Sequence, residues 1–399
     1  MKIAMIAPTE IPARRANTLQ VMKMAQAFSE LEHQVHLYAP LSPQSEHPDG
    51  EHERSWHNLA RHYGLKQPFN IEWLPARNHL RRYDFSWQAL QKAQKQGAQV
   101  IYTRLPQTAA LSSWKGFATI LEIHDFPQGR MGPFLFRAFL KGRGAKRMVV
   151  ITHALFQDLN RSFKIPAESS FSLIAPDGVD LERYQDLPSS YQAREQLCSI
   201  PANNLVNSIH FPENFVSQFT VGYTGHLYPG RGAQLLIEIA EQLPQINFLI
   251  VGGEPQDISQ FQRTASERNL HNVLLTGFIP NSDLPLWQAA CDVLLMPYQE
   301  KVSASSGGNI ARYLSPMKLF EYMAVQRAIL SSNLPVLQEI LNPQNAVLLP
   351  PNDVQAWVNA LRQLQDDVEH RIRLGEQAQQ DVTQYTWQRR ASRIIEGLD

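Results

Sequence analysis

Short apolar runs, each stopped by proline or glycine and each followed by a helical pattern, recur along this chain in two series. Ile3-Ala4-Met5-Ile6-Ala7 ends at Pro8; a polar loop follows, and then Val21, Met24, Ala25, Phe28 and Leu31 fall at helical spacing. Gln34-Val35-His36-Leu37-Tyr38 reads as the next strand, stopped at Pro40, with further runs at 100–102, 119–123 and 148–151. A second series begins near Phe219, with strands at 220–223, 248–251, 273–276, 293–296 and 328–331 and an amphipathic helix at 233–243. Strands alternating with helices make βαβ units, so each series implies an α/β fold on a parallel, doubly wound sheet. Residues 42–53 (SPQSEHPDGEHE) read as a surface loop. Residues 186–217, rich in Pro, Asn and Ser, are the linker candidate, part of which could pack on the second domain.

Length and composition narrow the function. At roughly 100–200 residues per domain, 399 residues give two domains, or three. A chain that is 43% hydrophobic and 19% charged is not disordered. Its zero net charge argues against nucleic acid as the main partner. That zero is a cancellation: residues 1–186 carry 23 Lys+Arg against 17 Asp+Glu, and the remainder 14 against 20. Cys198 and Cys291 are the two cysteines, so no disulfide framework is expected and a reducing compartment fits. No run approaches the ~18 apolar residues of a membrane span, and MKIAMIAP is too short for a signal peptide. The expectation is a cytoplasmic protein.

The most informative segment is SPMKLFEYMA, residues 315–324. Ser315 is placed to cap a helix and Pro316 to open its first turn. The N–H groups of Met317, Lys318 and Leu319 would then face outward at the positive end of the helix dipole, where phosphate binds, and Lys318 adds a full charge. Glu321, one turn on, could accept hydrogen bonds from ribose hydroxyls. A plain capped helix with Lys and Glu in water fits the same residues. The preceding residues 303–309 (SASSGGN) read as a ligand-contacting loop. In YTGHLYPGRG, Gly225 permits a sharp turn after a strand, while Gly230 and Gly232 flank Arg231, which can engage two phosphate oxygens. An ordinary strand–turn–helix with a solvated arginine is the alternative there.

His124 and Asp125 end a strand, and the carboxyl ends of parallel strands face the ligand crevice. A structural histidine is the competing reading. Asp177-Gly178-Val179-Asp180 reads as a turn at the mouth of the same crevice. The thirteen histidines form no H-E-x-x-H pattern, and there is no G-x-S-x-G elbow. Residues 130–147 hold six basic residues and no acidic one, interleaved with Phe134, Leu135, Phe136, Phe139 and Leu140. Such a stretch fits either a core helix with a wet charged side or a helix lying on an anionic membrane surface.

Taken in order, MKIAMIAP, the His124 strand end, APDGVD, YTGHLYPGRG, FLIVGGEP, GFIPNSDLPLWQAACDVLLMPY, SPMKLFEYMA and YTWQRRASRII resemble a retaining glycosyltransferase of family 4 with the GT-B fold. The resemblance implies two Rossmann-like domains facing across a cleft: 1–186 with 384–399 on the acceptor side, and 187–383 on the donor side. The last helix would cross back to the first domain. It implies transfer from a UDP- or GDP-linked sugar to a sugar, glycan or lipid-linked acceptor, with no metal and no cofactor. Carried over by position, Arg231 contacts the diphosphate, Glu321 the ribose, and His124 the donor sugar. With Lys318 and Arg231, His124 makes up the expected catalytic group. Gly225, His226, Ser315, Met317 and Leu319 complete the donor set, and Asn17 and Asp125 face the acceptor. Tyr313 stands where a first motif glutamate often falls, His226 where an arginine is usual, and Arg14-Arg15-Ala16-Asn17 where the family has a Gly-Gly loop. A sugar-nucleotide epimerase or phosphorylase, or a catalytically silent nucleotide-binding scaffold, are the rival readings.

Overall fold

A computed structural model describes residues 1–41, 53–166, 170–200, 209–303 and 309–398. Most of the 42–53 loop, the core of the 303–309 loop and residues 201–208 of the linker candidate therefore lie outside the described residues. The chain divides into two compact units, Met1–Asp177 with Trp387–Asp399, and Gly178–Thr386. The last helix, Trp387–Ile395, thus belongs to the first unit.

The first unit holds seven strands: β1 (Lys2–Ile6), β2 (Gln34–Leu41), β3 (Asn70–Pro75), β4 (Val100–Thr103), β5 (Ala118–Ile123), β6 (Ala145–Val150) and β7 (Ser172–Ile174). They are all parallel, in the order β3-β2-β1-β4-β5-β6-β7. The second unit holds β8 (Thr220–Thr224), β9 (Asn247–Val251), β10 (Val273–Gly277), β11 (Val293–Met296), β12 (Ala328–Ser332) and β13 (Val347–Leu349). Their order is β10-β9-β8-β11-β12-β13, again parallel. Both sheets are Rossmann-like, and the order reverses between β1 and β4 and between β8 and β11. Ligands of such sheets bind at the carboxyl ends of the strands flanking that reversal.

Period-two alternation sorts the second sheet's side chains onto its two faces. Leu249, Val251, Leu294 and Met296 join one core, whereas Phe248, Ile250, Val293 and Leu295 join the other. Both faces are covered, as a parallel sheet requires. Each fully buried large apolar side chain contributes about 1.5–3 kcal/mol.

Three local expectations are corrected. The linker candidate contains a helix, Ser190–Ser199, opened by a capping box between Ser189 and Gln192. Its Arg194 donates to the Ala290 carbonyl and to Asp292, both at 2.9 Å, and so ties the helix to the second unit. The basic stretch at 130–147 is not one helix: the helix is Met131–Lys141, and Arg147 lies on β6. Buried, Arg147 donates to the carbonyls of Ile394 (2.6 Å) and Glu396 (2.8 Å), filling acceptors left open at the end of the last helix. Pro40 does not stop β2, which runs to Leu41 with Pro40 opposite Leu74. Among the described residues, no helix is long and apolar enough to cross a membrane.

Candidate functional site

At the reversal point of the second sheet, β8 is followed directly by Gly225, whose φ of 131° is closed to ordinary side chains. A Cβ there would lie 2.7 Å from Lys318 Nζ, so the lysine occupies the space a side chain would take. The chain then loops through Arg231 to the helix Ala233–Gln242, while β11 ends beside Tyr298. Lys318 and Arg231 converge here. Lys318 Nζ lies 3.8 Å over the Tyr223 ring and 5.6 Å from that of Tyr298. The Arg231 guanidinium is 5.8 Å from the Tyr228 ring and 5.7 Å from Tyr298, whose hydroxyl accepts from it at 3.3 Å.

Lys318 is 8% exposed, yet its Nζ has no hydrogen-bond partner among the described residues, and neither has Arg231 Nε. Burial, and then the nearby Arg231 charge, hold Lys318 well below the usual lysine range, while Glu321 pulls the other way. Two cations braced by ring faces, with hydrogen-bonding capacity unspent, match an anionic ligand.

The helix carrying Lys318 runs Met317–Ala324 and starts one residue later than the sequence suggests. Pro316 is its N-cap, no side chain caps it, and Ser315 lies outside it. The Leu319 N–H donates to the Pro316 carbonyl at 2.9 Å, which leaves Met317 and Lys318, not Leu319, to present outward N–H groups. Glu321 is 9% exposed. It accepts from Gln288 (3.3 Å) and Asn281 (3.5 Å), and the Asn281 side-chain oxygen accepts from Arg183 at 2.6 Å. Tyr223, Tyr298, Asn281 and Gln288 were not singled out from the sequence, although all four sit inside motifs quoted there. His226 stacks on Tyr228 at 4.6 Å and 2° interplanar angle, with Nδ1 3.6 Å from Glu254.

His124, at the end of β5, belongs to a polar cluster buried in the first unit. Its Nε2 meets Glu122, one of whose oxygens also accepts from Gln20 (2.7 Å) and Arg390 (2.9 Å). Arg390 reaches the other oxygen at 3.3 Å and the carbonyls of Pro176 and Ala175 at 2.9 and 3.1 Å. Burial pushes Glu122 upward, but Arg390 and His124 outweigh it and bring its carboxyl down to about 2. Burial, with Arg104, lowers His124 to about 4. Burial lifts Asp177 to about 7 against Arg390 and Arg104. Glu122, His124 and Asp177 bring ligating atoms within 4.8 Å of one another. However, two guanidiniums stand among them and Arg390 spans both Glu122 oxygens, so the chemistry is that of an ion-pair network. Asp125 accepts from the Phe126 N–H (2.7 Å) and Gln128 (3.2 Å). Asn17 is the second residue of the helix Ala16–Glu30, and its buried Oδ1 has no partner among the described residues.

Comparison with known proteins joins the two units. The Glycosyltransferase Family 4 model matches residues 19–183, and the model described as Glycosyl transferases group 1 matches residues 218–367. The O-antigen chain mannosyltransferase C of Escherichia coli is 24% identical over 291 residues, covering 67% of this chain and 72% of that protein. The D-inositol 3-phosphate glycosyltransferase of Corynebacterium urealyticum is 24% identical over 262 residues, covering 62% of this chain and 55% of that one. Among solved structures, Anabaena HepE in complex with UDP matches with a TM-score of 0.71 at 17% identity, covering 100% of this chain and 99% of that one. Sucrose-phosphate synthase from Thermosynechococcus elongatus matches at 0.69 and 20% identity, over 98% and 96%. These likenesses show the GT-B fold. With one family model on each of its two Rossmann-like units, the chain belongs to the family 4 glycosyltransferases.

Proposed function

We propose that the protein moves a sugar from a UDP- or GDP-linked donor to a hydroxyl of a sugar, glycan or lipid-linked acceptor, with retention at the anomeric carbon and without a metal. The observation that carries the reading is the pairing of Lys318 and Arg231. Both are braced by tyrosine rings, and both have hydrogen-bonding capacity left over among the described residues. A diphosphate leaving group gains charge as its bond to the sugar breaks, and fixed cations in a dry site stabilise that charge. HepE, whose fold this chain shares, has been solved with UDP and with UDP-glucose. On this reading the bond from the anomeric carbon to the phosphate oxygen breaks, and the acceptor oxygen bonds that carbon on the same face. The acceptor's proton passes to the departing phosphate oxygen. Glu321 takes the ribose, His124 contacts the sugar, and Asn17 and Asp125 serve the acceptor. No enzymatic nucleophile is invoked; Glu122, the carboxylate hydrogen-bonded to His124, is already held by Arg390 and Gln20.

The test is release of free UDP or GDP from a panel of sugar nucleotides. Slow release from one donor, lost in Arg231→Ala and Lys318→Ala, supports the transferase. Nucleotide binding with no turnover on any donor and acceptor pair favours the silent scaffold instead.

A second reading concerns the acceptor's location at the cytoplasmic face of a membrane. Met131 and Phe134, on the Met131–Lys141 helix, are 45% and 61% exposed. Trp114, 61% exposed, donates to that helix at Ala138 (2.7 Å). Exposed apolar side chains among Arg130, Arg137 and Lys141 suit an anionic lipid surface. Co-sedimentation with phosphatidylglycerol vesicles but not phosphatidylcholine ones, weakened by Phe134→Ser, is the expected result; equal behaviour on both overturns it.

A further inference from the structure

The buried cluster around His124 defines how that histidine can meet a substrate. Glu122 is fully buried, and Gln20 and Arg390 both donate to the oxygen that meets His124 Nε2. The carboxylate is ionised and can only accept, so Nε2 must carry the ring proton. The neighbours keep the ring neutral: Arg104 and Arg390 face it as like charges, and burial disfavours the imidazolium. Asp177, also in the cluster, is itself held toward its protonated form by burial, and Asp125 is spent on Phe126 and Gln128. A neutral ring with its proton on Nε2 leaves a lone pair on Nδ1.

We propose that Glu122 is a positioning residue that fixes His124 as the Nε2–H tautomer, so that Nδ1 accepts a hydrogen bond from a substrate hydroxyl. Arg390, on the last helix, holds Glu122 in place, which makes that helix part of the support for His124 and not merely a structural tail. The proposal rests on the transferase reading for the identity of the hydroxyl, a sugar hydroxyl; the tautomer itself is independent of that reading. It also specifies selectivity. A substrate deoxygenated at the position His124 reads loses a donor, whereas a bound anion gains nothing from Nδ1.

The experiment uses the full chain labelled with nitrogen-15 in its histidine rings, with the His124 signals identified by their loss in His124→Asn. In the wild type His124 should stay neutral from pH 5.5 to 8 with the proton on Nε2. Glu122→Leu combined with Arg390→Met removes both buried charges, so that neither is stranded. This variant should show mixed tautomers, and kcat should fall at least about tenfold, one hydrogen bond's worth, with UDP or GDP affinity unchanged. Glu122→Gln retains an acceptor oxygen and should keep the tautomer and most of the rate. An Nδ1–H tautomer in the wild type, an unchanged tautomer in the double variant, or a changed tautomer with unaltered kcat each overturns the proposal. If the wild type turns over no donor, the transferase reading fails, while the ring nitrogen signals still decide the tautomer.

Discussion

The Lys318 ammonium rests 3.8 Å over the ring of Tyr223, and its Nζ has no hydrogen-bond partner among the described residues. Tyr223 is the second-to-last residue of β8, and Lys318 is the second residue of a helix far along the chain. The sheet brings them together at its reversal point. A buried amine without a hydrogen-bonding partner costs the free protein stability, and on the proposed reading a bound diphosphate would offset that cost.

Replacing Lys318 with Met should therefore separate stability from binding. The free protein should gain about 1–3 kcal/mol, because a buried polar group without a hydrogen-bond partner is removed. Its affinity for UDP or GDP should fall at least about tenfold, the loss of one charge-assisted hydrogen bond. Urea unfolding and titration calorimetry read the two effects; a loss of stability in Lys318→Met assigns the lysine to packing.

Glu321 should read the ribose. Asn281 and Gln288 hold its carboxylate at 3.5 and 3.3 Å. Wild type should bind the ribonucleotide at least about tenfold tighter than the deoxyribose analogue, a hydrogen bond's worth, and Glu321→Ala should bind both alike. Retained discrimination in the variant removes Glu321 from the ribose.

Gly225→Ala should abolish nucleotide binding. The left-handed backbone costs about 1–3 kcal/mol for a side chain, and the new methyl would meet Lys318 Nζ at 2.7 Å and Cε at 3.1 Å. Gly129→Ala, at φ 68° with nothing within 4 Å, carries the backbone strain alone and should leave affinity unchanged. Thermal shift with UDP and GDP compares them.

Stability should carry the signature of Asp177. Burial lifts its carboxyl to about 7, against Arg390 and Arg104. A carboxyl whose folded value lies above its unfolded one contributes stability that is full below about pH 4 and lost as the pH rises to about 7. Asp177→Asn cannot ionise, so its melting temperature should gain on the wild type from pH 4 to 7 and then level. A constant offset across that range contradicts the shift.

Much of the fold was legible because strand and helix periods are local. The runs at β1, β5, β9 and β11 are contiguous and end at proline, glycine or a polar residue. The helix Ser190–Ser199 was missed because its pattern is weakly apolar, although Ser189 and Gln192 spell a capping box. Lys318, Arg231 and Glu321 stood out as charges within motifs, so they could be named as candidates. Their surroundings could not, since Tyr223, Tyr298 and Gln288 read as ordinary core residues until the sheet order sets them against Lys318, Arg231 and Glu321. The same holds for Glu122 and Arg390, which meet only because the last helix returns to the first unit.

The central claim is that Lys318 and Arg231 hold a nucleoside diphosphate. Titration calorimetry of UDP and GDP against wild type, Lys318→Met and Arg231→Ala tests it most directly. The account predicts binding of one of the two nucleotides by wild type, with at least about a tenfold loss in each variant. Equal affinity in all three proteins, or no binding of either nucleotide by the wild type, would contradict it.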